Sequence, residues 1–185
     1  MIKRTFDVVA SLIALLLLSP LLLGTALAVA IESGFPVLFR QTRVGLGGRS
    51  FGMFKFRSMV KNAASIGPYF TSANDPRITR VGRFIRRTSL DELPQLINVL
   101  TGDMSLVGPR PDVPAQQSLY TPADWAQRCS VRPGITGLAQ ALYRSDSTET
   151  QRLEADLRYT REASLWLDLK ICWWTAKRLS GQGAN

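Results

Sequence analysis

Val8 to Ile31 is a run of 24 residues without a charged side chain, bounded by Asp7 and Glu32. At about 1.5 Å of rise per residue, a helix of that length reaches across the roughly 30 Å hydrocarbon core of a bilayer. Whatever else the chain folds into must be built beside this run. It is too long for the apolar part of a secretory signal, and no clear small-residue cleavage site precedes Glu32. Two features argue against a straight crossing. Ser19-Pro20 falls near the middle, where proline removes a backbone donor and bends a helix while the serine can rebond freed carbonyls. Basic residues also flank both sides, Lys3 and Arg4 before the run and Arg40, Arg43, Arg49, Lys55 and Arg57 after it. Positive flanks favour the cytoplasmic side, so both ends pull toward one face. The expectation is a re-entrant helix-break-helix over residues 1–33, slightly ahead of an ordinary proline-kinked spanning helix, followed by one cytoplasmic domain over residues 34–185.

The fold class expected for the whole is α+β and mostly helical. Gly34 to Met59 reads as short strands around a glycine-rich turn, Gly45-Leu46-Gly47-Gly48. That turn is not a dinucleotide-binding GxGxxG, because no helix pattern opens after it. Within Lys55-Phe56-Arg57-Ser58-Met59, alternation could aim Lys55 and Arg57 to one side of a strand, although a solvated strand face has the same pattern. Lys61 to Arg80 reads as a short helix and then a loop, and Val81 to Arg87 as a helix with an apolar and a basic side. After Gly102-Asp103, Ser105 to Pro111 reads as a short apolar strand ending in a rigid turn, and Val131 to Gly137 as a Pro/Gly turn or strand edge. Tyr120 to Gln127 suits a helix capped by Thr121 with Pro122 in its first turn. Ser145 to Thr150 reads as a polar loop with Thr148 a possible cap. From Glu149 to about Arg178 the spacing is helical but broken. Trp166, Trp173 and Trp174, beside Lys170, Lys177 and Arg178, suggest that the last segment lies at a membrane interface, with a core helix as the alternative.

The stretch Arg86 to Pro111 carries the chemistry. Leu90, Leu93, Leu96, Ile97 and Leu100 recur at helical spacing, with Asp91, Gln95 and Asn98 on the opposite stripe, so Asp91 is expected to face away from the packed side. Ser89 to Glu92 also has the form of a capping box, and acidic residues in a first turn complement the helix dipole without any further role. Against that account, Pro94 is comfortable only in a first turn, which starts the helix near Asp91 and leaves Glu92 a poor partner for Ser89. The pair also stands between Arg86-Arg87 and Arg110, more cations than a cap needs. Pro109 and Pro111 restrict the backbone around Arg110, and a fixed guanidinium fork suits phosphate, though an exposed arginine in a surface turn gives the same sequence.

Composition narrows the reaction types. The chain has no histidine, which removes imidazole acid–base chemistry, histidine-activated nucleophiles and imidazole metal ligands. Its two cysteines, Cys129 and Cys172, form no CxxC pair, so a zinc site or disulfide framework is not expected. A net charge of +9 in a chain that is 45% hydrophobic points to an anionic partner: nucleic acid, anionic lipid or a phosphorylated small molecule. No aromatic-basic motif of a nucleic-acid module is present, and a long apolar anchor is foreign to one, so no nucleic acid is expected. A membrane-anchored basic binding protein without catalysis is the non-enzymatic alternative.

Taken together and in order, KRTFD at residues 3–7, Ser19-Pro20, RVGLGG, KFRSM, RRTSLDELPQLINVLTGDMSLVGPRP, RPGITGLAQ, Tyr159 and SLWLDL at residues 164–169 resemble the bacterial sugar transferase family. These are monotopic phosphoglycosyl transferases, which begin glycan assembly on a polyprenyl carrier. The central motif is highly specific and the others are weak alone. The resemblance implies a hairpin broken at Ser19-Pro20 that enters one leaflet, with the active site at the cytoplasmic surface. It implies that Asp91 is the nucleophile and Glu92 its partner, with Mg²⁺ at those carboxylates. The substrates implied are a UDP-sugar and polyprenyl phosphate. Lys55, Arg57, Arg86, Arg87, Pro109 and Arg110 become the expected phosphate-binding set. The size suits the minimal members that consist of the catalytic domain only. Residues Ala141 to Thr150 lack the Gly-Arg that larger members carry, which leaves the donor sugar open; oligomeric state is open as well.

Overall fold

The computed structural model describes residues 2–63, 65–67, 75–143 and 148–179. It is a mostly helical α+β fold. Helices α1 (Ile2–Leu17) and α2 (Ser19–Ser33) lead into an antiparallel hairpin, β1 (Leu38–Val44) and β2 (Ser50–Phe56). Then come α3 (Arg80–Arg87), α4 (Gln95–Thr101), strand β3 (Ser105–Val107), α5 (Pro122–Arg128), strand β4 (Gly134–Thr136), α6 (Leu138–Tyr143), α7 (Glu149–Glu162) and α8 (Leu165–Leu179). Strands β3 and β4 form a second, parallel pair with Ser105 opposite Gly134 and Val107 opposite Thr136.

No single described helix is long and apolar enough to cross a membrane, but α1 and α2 meet that criterion together and are bent by 63° at their junction. The bend follows from the sequence. Pro20 has no amide hydrogen to donate, and the Ser19 hydroxyl donates instead to the Leu16 carbonyl at 2.8 Å. Along both arms large apolar side chains stay exposed, among them Leu16, Leu17, Leu23, Leu27 and Ile31.

The two ends of this bent pair are bonded to the rest of the fold. At the start of α1, Lys3 Nζ donates to Asp168 Oδ2 at 2.5 Å and to the Val107 carbonyl at 3.3 Å. Arg4 donates to the carbonyls of Val99 and Leu100 at 2.6 and 3.1 Å, filling acceptors that the last turn of α4 leaves open. Buried Asp7 accepts from Ser105 Oγ at 2.8 Å and from the Leu106 amide at 3.3 Å. At the end of α2, Glu32 accepts from the Arg80 and Val81 amides at 2.8 and 3.0 Å, where a carboxylate suits the N-terminus of α3. Arg57 donates to the Ser33 carbonyl at 2.7 Å and also to that of Gly34. Beneath this junction Val29, Phe56 and Ile85 form a small apolar cluster.

The largest core lies on the far side, where Val107, Leu138, Ala141, Ala155, Tyr159 and Ile171 join β3, α6, α7 and α8. Fully burying a side chain the size of Val107, Leu138 or Ile171 contributes about 1.5–3 kcal/mol, which fixes β3 against the three helices. The Tyr159 hydroxyl sits 2.7 Å from Asp168 Oδ1 and 2.9 Å from the Val107 carbonyl.

Most expected elements are present. The glycine-rich turn is a short 3₁₀ turn, Leu46–Gly48, joining β1 to β2. The chain breaks between α7 and α8, Thr121 caps α5, and Thr148 caps α7 in a reciprocal arrangement with Gln151. On α8, Trp166 and Trp173 are largely exposed, with Lys170 and Lys177 lying over their rings at 5.3 and 5.5 Å. One expectation fails: among the described residues of Lys61 to Arg80, no helix precedes Arg80, where α3 begins. A turn at residues 61–63 is followed by an antiparallel bridge between Met59 and Ile78, because Asp75 binds Arg77 and folds the segment back on itself. Residues 64, 68–74 and 144–147 fall outside the described set, which takes in Gly67-Pro68 and Asn74-Asp75-Pro76 in part and most of the polar loop before Thr148.

Candidate active site

Asp91 and Glu92 sit in a 3₁₀ turn, Leu90–Glu92, just before α4. The turn is entered by Ser89 with a left-handed backbone, φ 58°, and its side chain makes no capping bond, so the capping-box account does not hold. The expectation that Asp91 faces away from the packed side also fails. Asp91, Gln95 and Asn98 are all buried, Asp91 at 7% exposure, while Ile97 on the supposed packed side is exposed. The reason is that the polar stripe packs under β2: Asn98 Oδ1 accepts from the Phe54 amide and its Nδ2 donates to the Gly52 carbonyl, both at 2.9 Å. Asn98 thereby completes the edge of a strand that has only one partner, a job an apolar residue could not do.

Asp91 opens into a cleft of about 300 Å³ between the hairpin, α3 and the segment after β2. Phe39, Gln41 and Arg43 line it from β1, Lys55 and Phe56 from β2, then Arg57, Ser58, Lys61, Arg77 and Arg86. Lys55 and Arg57 do share a side, as their spacing suggests. Arg86 reaches Ser58 Oγ at 2.9 Å. This contact needs Gly82, where a β-carbon would stand 2.0 Å from the Ser58 carbonyl oxygen. A larger hollow of about 530 Å³ lies at the other end of the hairpin around Arg49, Asp103 and Arg132, and none of the expected site residues lines it.

The adjacent carboxylates differ in state. Glu92 takes Lys55 Nζ at 2.9 Å and the guanidinium of Arg110. Burial alone would raise its pKa, but Arg110 and Lys55 outweigh burial and hold it down at about 2. Asp91 has no hydrogen bond or ion pair among the described residues. Burial pushes its carboxyl above the usual aspartate value, opposed by Lys55 and reinforced by Glu92. The turn is too short for a helix dipole to offset that burial. Burial also lowers the Lys55 ammonium below its ordinary value, against the pull of Glu92.

Arg110 is not a free fork but the second cation on Glu92. Pro109 and Pro111 fix its loop, and Arg128, tied to Asp112 at 2.7 Å and Asp156 at 2.9 Å, holds the Arg110 carbonyl. Arg57 spends one guanidinium nitrogen on Ser33 and Gly34 while its Nε, buried, has no partner. Arg87 is exposed on α3 and does not line the cleft. The polar lining residues that the sequence reading does not place at the site are Gln41, Arg43, Ser58, Lys61 and Arg77. In the sequence Arg43 figures as a membrane-flanking charge and as the first residue of RVGLGG, with no site role; its position two residues from Gln41 on a strand is the available signal.

Among the described residues, no group of three or more His, Cys, Asp or Glu forms a metal site. Mg²⁺ commonly takes only one or two carboxylates, with water and substrate phosphates completing its shell. Asp91, a hard oxygen ligand with no counter-ion bonded to it, fits that role; Glu92 fits it only by sharing oxygens already held by Lys55 and Arg110. A poised carboxylate in a cleft with such an excess of cations is chemically competent toward phosphate-bearing molecules, as nucleophile or as ligand.

Sequence comparison agrees with this class of chemistry. The model of the bacterial sugar transferase family matches residues 1–182, and the chain belongs to that family. It is 45% identical over 193 residues, 100% of the chain and 45% of the relative, to a UDP-N-acetylgalactosamine-undecaprenyl-phosphate N-acetylgalactosaminephosphotransferase of Aeromonas hydrophila. It is 50% identical over 178 residues, 91% of the chain and 66% of the relative, to a UDP-glucose:undecaprenyl-phosphate glucose-1-phosphate transferase of Caulobacter vibrioides. With an exopolysaccharide production protein of Rhizobium leguminosarum bv. phaseoli it shares 43% over 185 residues, 94% of the chain and 92% of the relative. The chain thus spans 45% and 66% of the lengths of the first two relatives and nearly the whole of the third.

Proposed function

We propose that the chain is a phosphoglycosyl transferase that moves a sugar 1-phosphate from a UDP-sugar to polyprenyl phosphate, undecaprenyl phosphate by analogy with its relatives. The products are polyprenyl diphosphate-sugar and UMP, the first membrane step in assembling a glycan such as O-antigen, capsule, exopolysaccharide or a glycoprotein chain. The observation that carries this reading is the contrast inside one turn: Glu92 is saturated by Lys55 and Arg110, while Asp91 beside it is buried, cleft-facing and unpaired. The names of the relatives support the same donor and acceptor classes.

In the first step a carboxylate oxygen of Asp91 attacks the β-phosphorus of the UDP-sugar. A phosphorus–oxygen bond forms to Asp91, the bond from that phosphorus to the bridging oxygen breaks, and UMP leaves with the electron pair. In the second step a phosphate oxygen of the lipid attacks the same phosphorus and returns the Asp91 carboxylate. Covalent catalysis splits one displacement into two, and the acceptor is already anionic, so no histidine base is required. Lys55, Arg86 and Arg110 offset charge on the pyrophosphate, with Arg57 Nε at the margin. Asp91 and Glu92 would hold Mg²⁺, which neutralises phosphate charge when bound.

The bent α1–α2 pair is read as a re-entrant hairpin, residues 1–33, in the bacterial inner membrane, with residues 34–185 on the cytoplasmic face. Docking of both Lys3-Arg4-Asp7 and Glu32-Ser33 on one globular unit supports entry and exit on the same side. The test of chemistry is to incubate the protein with labelled UDP-sugar and Mg²⁺ without acceptor; a phospho-sugar mass on the Asp91 peptide is expected. Full turnover by Asp91→Asn would overturn the assignment. For topology, single cysteines at residues 2 and 40 in a background lacking Cys129 and Cys172 should label from the same side.

A further inference from the structure

Arg43 is a half-buried cation with a fully buried Nε, and no protein carboxylate bonds to it. Its Nη1 donates to the Pro111 carbonyl at 3.0 Å and its Nη2 to Gln41 Oε1 at 2.8 Å, both neutral acceptors, and its buried Nε has no partner. Two carboxylates stand near enough to act on it electrostatically, Asp112 and Glu92, but both are committed. Asp112 is held by Arg128 at 2.7 Å, by Arg152 at 2.6 Å and by the Tyr120 hydroxyl at 2.7 Å. Glu92 is held by Lys55 and Arg110. Arg110 itself repels Arg43, and burial together with that repulsion lowers the guanidinium to about 10, still charged at neutral pH.

A desolvated donor on a charged group is costly to leave unpaired, and a guanidinium keeps its proton under nearly all conditions, so the partner that fits Arg43 is an acceptor brought from outside. Arg43 lines the same cleft as Asp91. Arg57 Nε, at another part of that lining, is likewise a buried donor without an acceptor. Orphans of one polarity around one cavity describe the ligand's polarity: it supplies several acceptor oxygens and negative charge.

We propose that Arg43 is a substrate-binding residue whose Nε–H and outer guanidinium edge bind a phosphoryl group in the Asp91 cleft. It rests on the transferase reading for the identity of the substrate, but the phosphate chemistry follows from the cleft alone. The phosphate can belong to the soluble nucleotide or to the lipid acceptor. Pro111 and Gln41 are then positioning residues, since their oxygens hold the plane of the guanidinium.

The test is calorimetric titration of the full chain in detergent with UDP, inorganic pyrophosphate and geranyl phosphate, comparing wild type with Arg43→Gln and Arg43→Lys. Arg43→Gln should weaken at least one ligand by about tenfold or more, the loss expected for one charge-assisted contact. Arg43→Lys, which keeps the charge but not the Nε–H, should recover only part. Weakened UDP and pyrophosphate assign the contact to the donor; weakened geranyl phosphate alone assigns it to the acceptor. Should Arg43→Gln fail to fold, Arg43→Lys with an unchanged melting temperature still decides. A folded variant that binds all three ligands like wild type, or a wild type that binds none, overturns the proposal. Wild type that binds pyrophosphate through Arg43 yet releases no UMP from any UDP-sugar sinks the transferase reading and leaves the Arg43 assignment standing.

Discussion

Two charged networks in this protein are built from the same residue types and end in opposite conditions. Under the first turn of α1, Lys3, Asp7, Ser105, Tyr159 and Asp168 bond one another or nearby backbone groups, and the network joins α1, β3, α7 and α8. In the cleft, Glu92 is over-supplied with cations while Asp91 has no bonded partner and Arg43 and Arg57 keep orphan nitrogens. A closed network fixes helices at defined positions; an open one holds free energy that only a ligand can recover. The difference separates residues that hold the fold from residues held ready by it.

The comparison can be broken in four ways. The largest effect is expected from Asp91→Ala: turnover of UDP-sugar should fall about 10³-fold or more, the scale seen when a covalent nucleophile is lost, with the protein still folded. Loss of folding instead would place Asp91 with the anchor. Next, Asp168→Ala removes the acceptor of Lys3 and Tyr159 and should cost about 3 kcal/mol in denaturant unfolding, within the range for breaking a buried pair. Its kcat per folded molecule should stay near wild type, and a selective loss of kcat would erase the distinction. Third, Lys55→Met should lower kcat/KM by about 10²-fold, since one preorganised cation is removed from the phosphates.

The smallest effect concerns pH. The folded-state value of Asp91 is raised by burial, so the stability tied to its proton is present below the unfolded aspartate value and is lost as pH rises through the folded one. In metal-free buffer Asp91→Asn should therefore melt a few degrees above wild type at pH 7, and the two should converge as the pH falls below about 4, where the unfolded carboxyl is protonated as well. Equal melting at both pH values would mean that Asp91 is not an uncompensated buried carboxylate.

Much of this layout is legible in the sequence. The uncharged run, its Ser19-Pro20 break, the hairpin around Gly45 to Gly48 and the caps at Thr121 and Thr148 each rest on local backbone chemistry, and local chemistry is what a sequence states. The misses share one cause. Asp91, Gln95 and Asn98 form a polar stripe, and periodicity assigns polar stripes to solvent; nothing local reveals that Asn98 completes the edge of β2, 44 residues earlier for the Phe54 amide. Likewise Arg110 between its prolines reads as a free fork, because Glu92 reaches it only once α4 and the loop before α5 have packed. Arg43 stands in the sequence as a flanking charge and as the start of RVGLGG, and neither reading gives it a role in the cleft. Its meaning depends on which carboxylates remain unspent, and that is known only after every other pair has formed.

The docking of both ends of α1–α2 has a geometrical consequence for encounter. A lipid phosphate diffuses in two dimensions at a fixed height above the acyl chains. A catalyst held by one flexible tether would sample a range of heights and tilts and would have to find that plane at each event. Here Lys3-Arg4 and Glu32-Ser33 act as two struts on one rigid body. On the proposed topology, the height and tilt of the Asp91 cleft are set when the chain folds, and the search that remains is lateral.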